Sequence, residues 1–291
     1  MILTYKLYII YNRGITTIHK MPEGPEVRVT AEAINNEIAG DYITYIQVNK
    51  SSRYHKSGIN NHYCVSYPLE VSSVDSKGKK IRFHCYDNDG NSITIISALA
   101  MEGNWKLYSG KHAGIELHME SGKVLYFHDT RHFGTFHICV NDDEYDFVMK
   151  DVGPDLLNED ISFEEFDEVI SRYKLGKKEI CWFLMEQKFF SGVGNYLLAE
   201  ILYASRVLPY RTLNTLSEDE KYDIWSNTTR LIRESYESGG MTIATYFSMD
   251  GSPGSFSCVC YGNKYDPNGY PILRGTFSNG RTSWYCPDMQ N

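Results

Sequence analysis

The sequence predicts an α+β protein: an N-terminal antiparallel β-sandwich with flanking helices, then a helical domain, then a β-hairpin tail. Three observations predict it. From Asp41 to about Val148, short runs rich in Tyr, Ile, Val and Thr are broken by Asp87-Asn88-Asp89-Gly90 and by Ser-Gly pairs at 109–110 and 121–122. From Ser162 the apolar spacing lengthens to the helical period, with Ser-x-x-Glu capping signatures. The last forty or so residues return to short strands around an Asn279-Gly280 turn.

The elements follow in order. A helix is expected over Glu23–Ala39, because Pro25 suits a first turn, Val27, Ala31, Ile34 and Ile38 share one face, and Gly40 stops it. The strand-rich stretch then reads as a sandwich or barrel. Ser162-x-x-Glu165 opens the helical part, and Lys178–Gln187 reads as a helix. The turn Phe189–Asn195, punctuated by Gly192 and Gly194, leads into a helix over Tyr196–Ser205 with Asn195 near its N-cap. Ser217-x-x-Glu220 begins a last helix with Ile224, Trp225, Thr228, Leu231, Ile232 and Ser235 on one face, ended by Gly239-Gly240. In the tail, strands are expected at Phe256–Tyr261, Ile272–Thr276 and Arg281–Tyr285. The domains are then 21–150, 151–250 and 251–291, after a leader over 1–20.

Composition narrows the function classes. Apolar residues make up 42% of the chain, an ordinary globular value, and no apolar run approaches the roughly 18 residues of a membrane span. The seven cysteines are odd in number and scattered, which points to reduced thiols in a reducing, intracellular compartment. The net charge of −8 is unevenly spread. Residues 141–170 hold twelve acidic residues against Lys150 alone, and this acidic stretch is the natural domain boundary. Outside it and the basic leader the chain is neutral, so basic residues there are free to gather on one face, although long-range steering of a polyanion would be weak.

Five stretches could carry chemistry. In Met21-Pro22-Glu23, removal of the methionine would expose a secondary amine beside a carboxylate. Such an amine is partly unprotonated near neutrality and can attack a sugar C1′, while Glu23 protonates the ring oxygen. Lys77-Gly78-Lys79-Lys80 could meet phosphate at a hairpin. In Arg131-His132-Phe133 the outer two side chains share a side of an extended segment and could fill the space of an extruded base, with Met101 a third wedge. Gly192-Val193-Gly194-Asn195 lets backbone N–H groups approach an anion at a helix start. Arg281 follows a hairpin tip. Taken singly, each reads equally well as a helix start, a solvated lysine run, a strand end, a helical-hairpin turn and an exposed arginine.

In this order, the five stretches resemble the formamidopyrimidine-DNA glycosylase / endonuclease VIII family over nearly all of residues 21–291. Met21–Val27 looks like its N-terminal signature, and Gly78-Lys79 is similar to its hairpin lysine motif. Ala98–Gly103 and Asp129–Gly134 look like its void-filling loops, and Leu184–Glu200 is similar to its helix–two-turn–helix. Asp250–Gly254, Tyr261-Gly262 and Gly280–Thr282 look like its C-terminal finger. The resemblance implies Pro22 as Schiff-base nucleophile and Glu23 as general acid/base, with Glu26 in support. Lys79 and Arg281 would assist β- and δ-elimination. Met101, Arg131 and Phe133 would occupy the void, Asn195 would hold the lesion phosphate, and His112 would contact DNA. The implied partner is damaged duplex DNA, with single strands as the alternative, bound by a monomer without cofactor or membrane contact.

Two departures from the family pattern matter. The family's usual finger carries two C-x-x-C pairs on zinc. Here Tyr265–Gly269 contains no cysteine, and Met289 stands where the partner of Cys286 should be. No metal is therefore expected, and the finger resembles the zincless one of endonuclease VIII-like enzymes of animals and some large viruses, held by packing of Tyr265, Tyr270, Trp284 and Tyr285. That branch implies oxidised pyrimidines and hydantoins as substrates. The second departure is the leader, which would lock the Pro22 nitrogen in a peptide bond; translation from Met21, or removal of 1–20, is expected. The competing expectation is a non-catalytic damaged-DNA-binding protein on the same fold.

Overall fold

The computed structural model describes residues 21–57, 64–241 and 254–291. The expected leader, and residues 242–253 with most of Asp250–Gly254, lie outside these residues.

Helix α1 (Gly24–Ile38) is capped by Glu23, whose partner in a capping box is Glu26, and its buried stripe contains Val27, Ala31, Ile34 and Ile38. Gly40, at φ +81°, lets the chain turn off the helix into the first strand. Eight antiparallel strands then form one sheet: β1 (Tyr42–Val48), β2 (Leu69–Lys77), β3 (Lys80–Tyr86), β4 (Ser92–Ala98), β5 (Asn104–Lys106), β6 (Ala113–Met119), β7 (Val124–His128) and β8 (Thr135–Cys139). The spatial order is β5-β7-β6-β1-β2-β3-β4-β8. A short helix α2 (Arg53–Ser57) follows β1.

The sheet folds over on itself, which settles the sandwich. The fully buried Trp105 on edge strand β5 has its ring 5.4 Å from Phe83 on β3 and 6.2 Å from Phe136 on β8, at the opposite edge. Its indole N–H donates to Ser97 on β4 at 3.3 Å, so the one polar group of this ring is not left bare. Alternation supplies the inner layer: β3 buries Ile81, Phe83 and Cys85 and turns the intervening residues outward.

The acidic boundary is not an unstructured linker. Asn141 accepts from the Glu144 N–H and starts helix α3 (Asp142–Met149), where three acidic residues occupy the favourable first turn. The helical part comprises α4 (Phe163–Arg172), α5 (Ile180–Met185), α6 (Asn195–Ala204) and α7 (Glu218–Glu237), and both expected Ser-x-x-Glu capping boxes form. Helix α5 is shorter than the expected Lys178–Gln187. Its first amides, Ile180 and Cys181, bond outward to the carbonyls of Arg211 and Pro209 instead of to a preceding turn. Helices α1 and α7 are tied together through the Tyr236 hydroxyl, which donates to Glu32 at 2.7 Å, while Glu32 also pairs with Arg28.

The finger hairpin, β9 (Leu273–Thr276) and β10 (Thr282–Tyr285), shares the core of the helical part: Cys260, Ile272, Trp284 and Cys286 are buried with the residues of α6. Two expectations fail here. Phe256–Tyr261 is not a strand, because the buried Glu200 carboxylate on α6 takes the N–H groups of Val259, Cys260 and Tyr261 together at 2.7–2.9 Å. Three successive amides turned to one acceptor cannot alternate as in a strand. Nor do Tyr265 and Tyr270 pack the hairpin, since they are 64% and 44% exposed. The knuckle is held by Asp266, which accepts from the Asn268 and Tyr270 amides and the Tyr203 hydroxyl, and by Gln290, which accepts from the Cys286 amide and donates to the Val207 carbonyl. Glu200→Ala leaves three amides, two of them on buried residues, without their acceptor, and is expected to cost about 3 kcal/mol in chemical denaturation, with Glu200→Gln losing less.

Candidate active site

The site is assembled where α1, the β2–β3 hairpin, the start of α6 and the finger meet. Pro22 is buried directly before α1. Glu23 is 2% exposed and reaches across to α6, where its carboxylate accepts from the amides of Gly194 (2.7 Å), Tyr196 (2.8 Å) and, more weakly, Leu197 (3.3 Å). These are the orphan donors of a helix N-terminus, so α6 holds the carboxylate as an anion site would.

Close approach makes this possible, and glycines make the approach possible. The Gly24 amide donates to the Gly192 carbonyl at 2.8 Å. A Cβ on Gly194 would sit 2.2 Å from Glu23 Cδ, and one on Gly240 would sit 2.9 Å from Glu26 Cγ. Glu26, also buried, accepts from the Glu23 amide, the Tyr196 hydroxyl and the Met241 amide. The Tyr196 hydroxyl further meets Ser235 at 2.9 Å.

Electrostatically, two carboxyls share one buried corner with one lysine. Burial pushes Glu23 up to about 8, with Glu26 adding to the rise and Lys79 and the α6 amides opposing it. Glu26 is raised by burial as well. Lys79 moves the other way: burial lowers it, the Arg281 charge lowers it further, and Glu23 restores part of the loss. An acid that holds its proton near neutrality and a lysine that sheds its own more readily are suited to proton transfer.

Lys79 reaches this corner because its neighbours are used otherwise. Gly78 turns at φ +57°, and its amide donates to the buried Asp155 at 2.7 Å. Lys77 pairs with Glu159, and Lys80 donates to the Val148 carbonyl. From the finger, Arg281 comes in as an exposed guanidinium that meets the Met21 sulfur at 3.9 Å. The Asn195 amide donates to the Thr282 carbonyl at 2.9 Å, tying the first residue of α6 to the finger beside Arg281, while its buried Oδ1 finds no partner among the described residues.

A second group lies on the sandwich. The buried Asp129 carboxylate accepts from the amides of Arg131, His132 and Gly134 and from the Tyr54 hydroxyl, which bends the loop and turns Arg131 and Phe133 outward. The Arg131 guanidinium lies 4.9 Å from the centre of the half-exposed Phe133 ring and 3.9 Å from Glu102 in the neighbouring loop. Met101 is half-buried in that loop. His112 is anchored through its carbonyl, which accepts from the Asp129 amide. Among the described residues no hydrogen bond, ion pair or ring contact joins Met101 or His112 to the Glu23 corner.

Comparison with known proteins decides the family. Residues 21–136 match the formamidopyrimidine-DNA glycosylase N-terminal domain, and residues 152–247 match the formamidopyrimidine-DNA glycosylase H2TH domain. The formamidopyrimidine-DNA glycosylase of Streptococcus pneumoniae is 30% identical, with 93% of this chain and 99% of that protein aligned. The chain belongs to the formamidopyrimidine-DNA glycosylase family. It is a DNA glycosylase of oxidised-base repair. The enzyme of the same name from Mycoplasma mobile is also 30% identical, over the same shares. Among solved structures, the MutM (Fpg) protein of Thermus thermophilus superposes with a TM-score of 0.80 at 26% identity, covering 92% of this chain and 98% of that one. The Lactococcus lactis Fpg, solved with DNA containing an abasic site, has a similar fold, with a TM-score of 0.81 at 24% identity over 92% and 99% of the two chains.

A glycosylase finger of the zinc type needs four converging donors. Here the Asp266 carboxylate is engaged by two amides and a tyrosine hydroxyl, and Met289 replaces one thiolate. Among the described residues no group of three His, Cys, Asp or Glu side chains could hold a metal ion. The donor set does not fit zinc.

The motifs did not reveal every residue that builds this glycosylase site. Tyr196, Asp129, Asp155 and Glu200 position other groups without having been singled out. The one available signal was burial: each is a polar residue beside a Gly turn or inside an apolar helical run. Such a residue is buried only when its hydrogen bonds are met.

Proposed function

We propose that the protein is a bifunctional DNA glycosylase and abasic-site lyase that removes oxidised pyrimidines and hydantoins from damaged duplex DNA. The observation that carries this reading is the corner where Pro22, the proton-holding Glu23, Lys79 and Arg281 meet. The Pro22 amine attacks C1′ of the extruded nucleotide. Glu23 gives its proton to the sugar ring oxygen as the base departs, leaving an iminium joined to Pro22. The cation acidifies C2′–H, and loss of that proton expels the 3′ phosphate. A second elimination expels the 5′ phosphate. Lys79 and Arg281 meet these phosphates and moderate their charge. Arg131, Phe133 and Met101 occupy the vacated stack, and Asn195 and His112 contact the backbone. The preference for oxidised pyrimidines and hydantoins rests on the finger, whose donor set suits the zincless branch; activity is expected to persist unchanged after exhaustive chelation.

The chemistry requires Pro22 to be the first residue. Borohydride trapping on abasic DNA should give a covalent adduct with protein beginning at Pro22 and none with protein carrying an intact leader. Equal trapping by both would remove Pro22 from the nucleophile's role.

A further inference from the structure

The helical part carries a cationic–aromatic patch that the site above does not use. Lys178 Nζ lies 4.5 Å from the centre of the Trp182 ring. Lys188 Nζ lies 5.0 Å from the Phe189 ring and 6.0 Å from Trp182. Tyr173, 56% exposed, packs on Phe189 at 5.1 Å and extends the row. Lys177 and Lys178 adjoin the start of α5, and both they and Lys188 are exposed.

The lysines of this patch differ from those whose charge is spent in an ion pair. Lys77, Lys123 and Lys221 each pair with a carboxylate. Among the described residues, Lys177, Lys178 and Lys188 make no ion pair. The ammonium groups of Lys178 and Lys188 are instead parked over rings, which restrains the long side chains without neutralising them. The patch is also continuous with the active site. The Ser278 amide at the finger tip donates to Glu179 at 3.0 Å, and Asn279 donates to the Cys181 carbonyl at 3.4 Å, two and three residues from Arg281. The finger tip beside Arg281 thus rests on the segment that carries the patch.

We infer that Lys178 and Lys188, held over Trp182 and Phe189, form with the exposed Lys177 beside them a second phosphate-binding surface for the duplex flank beyond the lesion. This rests on the proposed DNA-repair function. The surface reads no sequence and extends the footprint. Its contribution to affinity is electrostatic, so it shows in the salt dependence.

The test uses Pro22-started protein and the triple variant Lys177→Gln, Lys178→Gln, Lys188→Gln. Binding is measured over a salt series on two duplexes containing an uncleavable abasic analogue. One is short and centred on the lesion; the other is longer by about one helical turn, or 10 base pairs, on each side. On the long duplex the slope of log affinity against log salt should fall by about 0.9 for each phosphate lost, up to about 2.7 for three. On the short duplex the variant should match the parent in affinity, salt slope and base release. An unchanged slope on the long duplex, or equal losses on both, overturns the inference. Failure of the functional reading looks different: the parent protein itself would bind damaged and undamaged short duplexes equally.

Discussion

Glu23→Gln in Pro22-started protein should slow base release by about 10²–10⁴-fold, while the variant still forms a borohydride-trappable adduct on DNA whose base is already missing. The two readouts separate because departure of the base needs a proton from Glu23, whereas attack of the amine on an open abasic sugar does not. The pH profile carries the same signature. Glu23 donates only while protonated, and burial holds its proton up to about 8, so base release by the parent falls as pH rises through that value. A reference α-amine titrates at about 7.7–8.0, and the amine attacks only when neutral, so the acid limb belongs to Pro22. A narrow bell is expected, and Glu23→Gln should abolish its alkaline limb. Loss of adduct formation by the variant, or a parental alkaline limb in its residual base release, would remove Glu23 from the acid's role.

The same group affects stability in a defined direction. Glu23 binds its proton more tightly in the folded protein than in the unfolded chain, so its protonated form stabilises the fold below about pH 4.5, and this contribution is lost as pH rises to about 8. Melting temperatures of Glu23→Gln relative to the parent should therefore improve across that interval. A flat difference would mean that the carboxyl does not titrate there.

Much of this site was legible because its parts sit at marked places in the chain. Pro22-Glu23 opens a helix, Gly78 forces a hairpin that presents Lys79, and Asn279-Gly280 makes the turn before Arg281. Each is a local feature with a local cause. The capping boxes at Ser162 and Ser217 were legible for the same reason. What escaped depends on partners far apart in sequence. Glu200 lies in an apolar helix, and nothing near it shows that three amides some sixty residues later will bend to meet it, so Phe256–Tyr261 looked like a strand. Tyr265 and Tyr270 looked like finger packing, yet the finger is closed by Asp266, a residue that reads as ordinary turn chemistry. The meeting of Glu23 with the start of α6 spans more than 170 residues. It could be read from the sequence only through the resemblance, because glycines at 192 and 194 say that something approaches closely but not what.

Gly194→Ala tests that meeting most directly. Gly194 has an extended backbone, φ −126° and ψ −156°, which alanine adopts without strain. Its Cβ, however, would lie 2.2 Å from Glu23 Cδ and 2.4 Å from Oε1. The carboxylate must leave, and it leaves behind the buried amides of Gly194 and Tyr196. Crowding costs about 1–3 kcal/mol and each orphaned amide about 1–3 kcal/mol, so a loss of at least about 3 kcal/mol is expected in chemical denaturation, together with a fall in base release as deep as that of Glu23→Gln. The double variant Glu23→Ala, Gly194→Ala distinguishes this account from simple damage to α6. With Glu23 shortened, the added methyl group has nothing to strike, so the second substitution should cost far less stability than it does alone, a strong coupling between residues 171 apart in sequence. Base release should not recover, because the acid is gone. Additive losses would mean that alanine at 194 harms the helix turn itself, and a fully active Gly194→Ala would mean that the hold of α6 on Glu23 is not what places the acid.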